Sequence, residues 1–483
     1  MTIALAVSFA VSTCIGLLLL WLAWPRTAVW SWPLATALGA GLGSGLSAVL
    51  LFLWMLAFGP TRGFPLAEAG LLILVALAAV RRRLAGHTGA APVTPSHARA
   101  SRELLVVVIG FLVTLGAAGA AFVSHLRRHP HGEWDAWMNW DLRARMFFRG
   151  GEAWQTAFSP ALPWSHPDYP VLLSSLVTRT WVYAGGETLA GPALVAGTFT
   201  FATVALMAAG LAALRSTSQG LLAGLVLLST PFFILHGTSL YADVPLGFFF
   251  LATIVCLALQ ERSGSATNRF AVLAGIAAGL AMWTKNEGLL FTLALVAGLL
   301  IAGLSGSRWA ISRRQLLAFA TGLAPMLVLA AGFKMALAPP NDLLSTLDLE
   351  RTFTRLTDPH RYYLVLRAYG GHIASFGSNG LGSVTAVLTA YLLGLGVNRS
   401  ELGRSWVRAV TIALVLLLAG HFMVFVSMAD ELSRLLKSSL DRLLLQIWPS
   451  ALFLYFMVVR AHEEVRSGQP VTGRAEVRHG VRV

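Results

Sequence analysis

Long apolar runs separated by short polar breaks fill most of the chain, and neither strand alternation nor a soluble amphipathic period recurs along it. A hydrocarbon layer of about 30 Å needs roughly 20 apolar residues as helix. On that measure the pattern predicts thirteen spans: 2–24, 28–58, 66–80, 104–126, 189–212, 218–235, 244–260, 270–284, 288–304, 315–337, 381–396, 409–428 and 443–459. The third and eighth are short, so the count extends down to about eleven. The second is long and carries Gly39, Gly41, Gly43 and Gly45, which predicts a tilted or broken helix. Segment 171–184 is apolar but interrupted by Arg179 and followed by Gly185-Gly186. It reads as a helix lying on or dipping into the interface, within the first large outer loop. The expected fold is therefore an all-α polytopic bundle.

Composition agrees. Of 483 residues, 56% are hydrophobic and 12% charged, with mean hydropathy +0.69. Soluble domains are closer to a quarter charged. This excludes a soluble enzyme, a disordered chain and a secreted disulfide scaffold. The net charge of +14 would suggest nucleic acid in a soluble protein. Here basic residues flanking spans explain it, and no nucleic-acid partner is expected. Cys14 and Cys256 lie inside apolar runs and propose neither a disulfide nor a thiolate metal site.

Placing Arg81-Arg82-Arg83, Arg99 and Arg102 on the cytoplasmic side makes basic density about twofold higher inside than outside, as the positive-inside rule requires. The N-terminus is then outside and the C-terminus inside a cytoplasmic (inner) membrane. The chain divides into three N-terminal spans (1–83), a polar Ala/Pro-rich cytoplasmic linker (84–103), a main transmembrane module (104–460) and a charged tail (461–483). Sixteen of the 22 acidic residues fall on the outer side, several against span ends. An ionised carboxylate there is costly without a partner.

The densest polar stretch runs from His131 to Arg145. Glu133 and Asp135 are two apart, so an extended backbone would point both to one side. Asp135 also suits the N-cap of a short helix. Trp134, Trp137 and Trp140 repeat every three residues, which suits an interfacial helix or an ordinary aromatic belt. Asp168 lies in His166-Pro-Asp168-Tyr169-Pro170, a rigid turn that could cap the next helix. Asp243, in Tyr241-Ala-Asp243-Val-Pro245, reads from spacing alone as a helix start with a first-turn proline. Thr284-Lys285-Asn286-Glu287-Gly288 is a hairpin tip buried at the membrane edge; Lys285 either pairs with Glu287 or binds an anion. Arg442, opening the last span ahead of Pro449, either snorkels or grips phosphate. Arg351, Arg355, Arg361, Arg367, His360 and His372 crowd outer loop 338–380 without an individual role.

Together these residues resemble the integral-membrane glycosyltransferases of the C superfamily. That group includes protein O-mannosyltransferases, the lipid A aminoarabinose transferase and the glucosyltransferases that extend dolichol-linked oligosaccharide. Glu133-Trp134-Asp135 is similar to their acidic first-loop pair, Asp168-Tyr169-Pro170 to an Asp-Tyr-Pro turn, and Asp243 to a second-loop acid. Lys285 stands in an approximate Thr-Lys-Gly hairpin with two residues inserted, and Arg442 with Pro449 resembles a late-span arginine. The resemblance covers roughly residues 104–460. Three additional spans and the lack of a soluble C-terminal domain depart from the larger members and point to a compact bacterial one.

The resemblance implies transfer, with inversion, of a sugar from a polyprenyl-phosphate donor to a lipid, glycan or protein acceptor on the outer face. Asp135 would be the general base and Glu133 would orient the acceptor or a cation. Lys285 and Arg442 would hold the lipid phosphate. Asp168, Tyr169, Asp243, Glu287, Trp134 and Trp137 would contact substrate. A divalent cation is left open, with Glu133, Asp135 and Asp243 as candidate ligands. Membrane lipids are expected partners, and no protein partner is indicated. The competing readings are a lipid or glycan transporter or flippase, with Lys334 and Glu68 at membrane depth, and a non-catalytic envelope-assembly subunit.

Overall fold

The computed structural model describes residues 2–24, 31–84, 102–263, 267–304, 311–341, 348–376, 382–428 and 431–467. The linker expected over 84–103 and the tail beyond 467 lie almost entirely outside them. The described residues form helices joined by short turns, with one isolated β-bridge between Val397 and Val459. Nine helices among them are long and apolar enough to cross a bilayer. They are α1 (Thr2–Ala23), α2 (Trp32–Phe58), α3 (Phe64–Leu84), α4 (Arg102–Arg128), α7 (Ala190–Leu214), α10 (Asp243–Arg262), α12 (Asn286–Leu304), α13 (Arg313–Ala336) and α18 (Ser405–Met428). Between these lie α5 (Asp141–Arg149), α6 (Leu172–Ala184), α8 (Thr217–Leu228), α9 (Pro231–Thr238) and α11 (Arg269–Thr284). Beyond α13 come α14 (Leu349–Leu356), α15 (Pro359–Ser375), α16 (Val384–Leu395) and α17 (Arg399–Leu402). The last two are α19 (Leu432–Val458) and α20 (His462–Ser467). Length and hydropathy mark the chain as a helical membrane protein.

The thirteen expected spans are not all met on these criteria. The run 218–235 is two helices, α8 and α9, bent by 63°; counted as one span, they bring the number to ten. Pro231 opens α9, where its missing N–H leaves no bond unmade. The runs 270–284 and 381–396 are helices of 16 and 12 residues, α11 and α16. The run 443–459 is the second half of α19, whose first half is polar.

The broken alternative for the second span is not met. α2 is continuous, and its glycines are packing sites. A Cβ on Gly43 would lie 2.0 Å from the Ser12 carbonyl oxygen, and one on Gly16 2.0 Å from that of Gly39. Small residues let α1 and α2 approach backbone to backbone. α6 is buried against the rest of the protein from Leu172 to Trp181. Arg179, which prompted the interfacial reading, is 2% exposed and pairs with the fully buried Glu68 of α3 at 2.9 Å. It also donates to the Ser8 hydroxyl and carbonyl of α1, while the Tyr183 hydroxyl donates to Glu68. A buried charge needs this degree of pairing. The three N-terminal helices are thereby fixed to the loop that carries Asp135.

α10 runs through the middle and is almost wholly buried. Its 20 residues span about 30 Å, the thickness of a hydrocarbon core. Polar clusters gather at its two ends. At the Arg262 end, Glu401 pairs with Arg262 (2.6 Å) and Arg404 (2.9 Å), and Glu464 pairs with Arg215 (2.9 Å). The Asp243 end holds the candidate site.

Candidate functional site

Three loops and two helices deliver the site. Asp243 is the first residue of α10 and is completely buried. Its side chain caps nothing; it accepts from four side chains. Lys285 Nζ (3.0 Å) and Gln446 Nε2 (2.6 Å) bind Oδ1; Arg442 Nε (3.1 Å) binds Oδ2, which also lies 3.1 Å from His236 Nε2. Local chain breaks place these partners. The α8–α9 bend brings His236 over, and Lys285 sits in extended conformation between α11 and α12. The reversal there is tight, because a Cβ on Gly288 would meet the Ala281 carbonyl oxygen at 2.0 Å.

Arg442 joins two carboxylates. Its Nη2 lies 2.6 Å from Asp135 Oδ2 and 3.0 Å from Asp243 Oδ2. The guanidinium stacks 4.5 Å over the Tyr241 ring. The Tyr241 hydroxyl accepts from the Asp135 backbone N–H at 3.2 Å, and burial pushes this phenol above its ordinary range. Asp135 and Arg442 are a quarter and a fifth exposed, so they form the accessible edge over a sealed Asp243. The snorkelling alternative for Arg442 does not fit this burial and pairing.

Asp135 stands where a cap would, but makes no side-chain cap bond. Its backbone is helical rather than extended (φ −65°, ψ −26°), so Glu133 and Asp135 do not share a side. Glu133 is half-exposed and lies 3.8 Å from His129 Nδ1. The candidate cation ligands therefore do not converge: Glu133 turns away, and a guanidinium stands between the other two. Among the described residues no group of three His, Cys, Asp or Glu is placed to hold a metal. Trp134 and Trp137 are exposed and pack edge to face, with ring centres 4.8 Å apart. Trp140 is buried under Arg143 instead.

Asp168 is 1% exposed and caps nothing, since α6 begins after Val171 without a side-chain bond. Its Oδ2 accepts from Asn286 (3.0 Å) and Asn341 (2.6 Å) and lies 3.4 Å from Lys334 Nζ. Lys334 thus reaches the site from the end of α13. Tyr169 is held through its carbonyl by Arg143 Nη1 at 2.7 Å, and burial raises its phenol as well. Glu287 pairs with Lys285 at 2.7 Å, the ion-pair alternative expected of Lys285, which also pairs with Asp243. Buried polar atoms here that lack a protein partner among the described residues include Asp168 Oδ1, Glu287 Oε2, Gln446 Oε1 and both ring nitrogens of His421.

His236, Gln446, Asn341 and His421 were not among the expected site residues, and Asn286 and Lys334 were named only in the hairpin motif and at membrane depth. Only Gln446 had a local signal, one helical turn beyond Arg442; His236 lies 7 residues before Asp243, across the turn between α9 and α10. Of the loop arginines, Arg355 and Arg361 cap the last carbonyls of α18, and His372 binds Asp441 beside Arg442. No family model matches the chain, and no curated protein or solved structure is similar to it.

Proposed function

We propose that the chain is a membrane glycosyltransferase that takes a sugar from a polyprenyl-phosphate donor. The observation that carries this reading is the Arg442 guanidinium shared between Asp135 and Asp243 at a half-open site. Among the described residues its Nη1 has no hydrogen-bond partner, and guanidinium forks suit phosphate. Lys285 adds a second cation behind it.

The chemistry follows from what each group can do. Phosphate taking Nη2 would release the Asp135 carboxylate from its ion pair. Asp135 then accepts the proton of an acceptor hydroxyl as that oxygen bonds to the anomeric carbon. The bond from that carbon to phosphate breaks, and the electron pair leaves on the phosphate held by Arg442 and Lys285. The unpartnered atoms of Asp168, Glu287 and His421 supply sites for sugar hydroxyls, and the exposed Trp134–Trp137 pair supplies an aromatic face. No step is assigned to a cation.

The bend between α8 and α9 favours one other reading, a lipid or glycan transporter, because broken helices recur at transport sites. One substitution separates the two. Asp135→Asn keeps shape and removes the base. A transferase should insert normally, bind donor and transfer sugar at least about 100-fold more slowly. The assay is sugar release from a polyprenyl-phosphate donor by purified protein with mixed acceptors. Transfer near the parental rate by Asp135→Asn would remove the base assignment; a parent that releases no sugar but moves lipid between leaflets would establish the transporter.

A further inference from the structure

We propose that a cavity at the membrane end opposite Asp135 binds the primary ammonium of an ethanolamine phospholipid. The cavity holds about 250 Å3 and opens between α4 and α8, with α16 and α20 closing it. One water needs roughly 10–15 Å3, so the space is too large to be a single-water site.

Its polar lining is Glu103, Ser218, Gln219, Tyr391, His462 and Glu463. Gln219 is 1% exposed, and its Nε2 donates to the Val459 carbonyl at 3.0 Å. That carbonyl also takes Arg215 Nη2, so it fixes which way the amide faces. Gln219 Oε1 is left buried without a partner. A buried acceptor in that state is costly until a donor arrives. Glu103 and Glu463 lie on the same wall, the first paired with Arg466 and the second accepting from the Ser218 hydroxyl. Glu103 also lies 3.8 Å from the His462 ring, so the acceptor left over is Gln219 Oε1, set beside two carboxylates; a donor that is also cationic suits that arrangement. A primary ammonium carries three N–H donors.

The opposite wall is apolar: Leu104, Val107 and Leu222. It continues into the outward face of α4, where Leu105, Val106, Ile109 and Leu112 are each more than half exposed. A ligand that fits both walls joins a cationic head to a hydrocarbon chain. A choline headgroup has no N–H and would leave Gln219 Oε1 unpaired, so the site separates two lipids of similar size. The cavity shares no residue with the Asp135 site.

The test is lipid retention by the full-length protein in native mass spectrometry. The protein is delipidated and given phosphatidylethanolamine or phosphatidylcholine of identical chains. The ethanolamine lipid should be retained at least about tenfold better, the worth of one hydrogen bond to a charged donor. Val107→Trp fills the cavity from its apolar side and leaves the polar wall intact. It should abolish the preference while leaving the unfolding temperature near the parent's. Gln219→Leu should reduce the preference even where Glu103 and Glu463 are kept. Equal retention of the two lipids, or a preference untouched by Val107→Trp, would overturn the site. Displacement of the lipid by millimolar free ethanolamine would overturn the lipid assignment in favour of a soluble amine.

Discussion

Asp141 begins α5, six residues beyond Asp135, and is 4% exposed. Burial raises its carboxyl from 3.8 to about 7, with Arg145 opposing the shift. The folded chain therefore keeps a proton that the unfolded chain has lost. Stability should fall as pH rises from about 4 to 7 and level off above that. At full effect the loss is roughly 4 kcal/mol. Asp141→Asn should flatten this slope and be the more stable form above pH 7. Thermal unfolding in detergent between pH 4 and 8 measures it; a parent that shows no slope, or an Asn variant that keeps it, contradicts the assignment. Asp135, Asp168 and Asp243 show what local sequence can and cannot give. Their spacing against Pro, Trp and span ends made them candidates and also made them resemble helix caps. None makes a side-chain cap bond. Asp135 and Asp243 meet Arg442 and Gln446 from about 200 to 300 residues away, and nothing local to either aspartate announces that pairing.

Helix breaks are the elements that shape the site. The α11–α12 reversal depends on Gly288, since an added Cβ overlaps the Ala281 carbonyl. Gly288→Val should force the two helices apart and move Lys285 off Asp243. Overpacking costs about 1–3 kcal/mol, and a buried unpaired Lys285 adds to it. A lowered unfolding temperature together with lost donor binding is expected; unchanged binding at lowered stability would show that Lys285 keeps its place without the tight turn. This hairpin was legible because two apolar runs leave only a few polar residues between them. The bend at Pro231 was written in the sequence as Ser-Thr-Pro, yet a hydropathy window averages across it. Segment 171–184 concealed its partner for a related reason. One arginine in an apolar run suggests an interface unless its acid is known, and Glu68 lies 111 residues upstream.

At the scale of the whole molecule, charge is sorted to two ends about one bilayer apart, joined by the buried α10. That sorting was visible from span boundaries alone, because acids and bases collect where apolar runs stop. Which charge meets which was not, since those contacts depend on packing order. The shared Arg442 also sets a schedule for biogenesis. Asp243 precedes Lys285 by 42 residues and Arg442 by 199. A ribosome adding 5–20 residues per second leaves Asp243 waiting about 10–40 s for its arginine. During that interval a carboxylate enters the membrane edge with His236 and then Lys285 as company, an arrangement that insertion and quality-control machinery must tolerate. A chain stopped at residue 431, before α19, makes the wait permanent. In pulse-chase labelling it should be degraded faster than the full chain, and Asp243→Asn within the stopped chain should lengthen its life. Equal lifetimes for the two stopped chains would mean that the waiting carboxylate is not what marks the nascent protein for destruction.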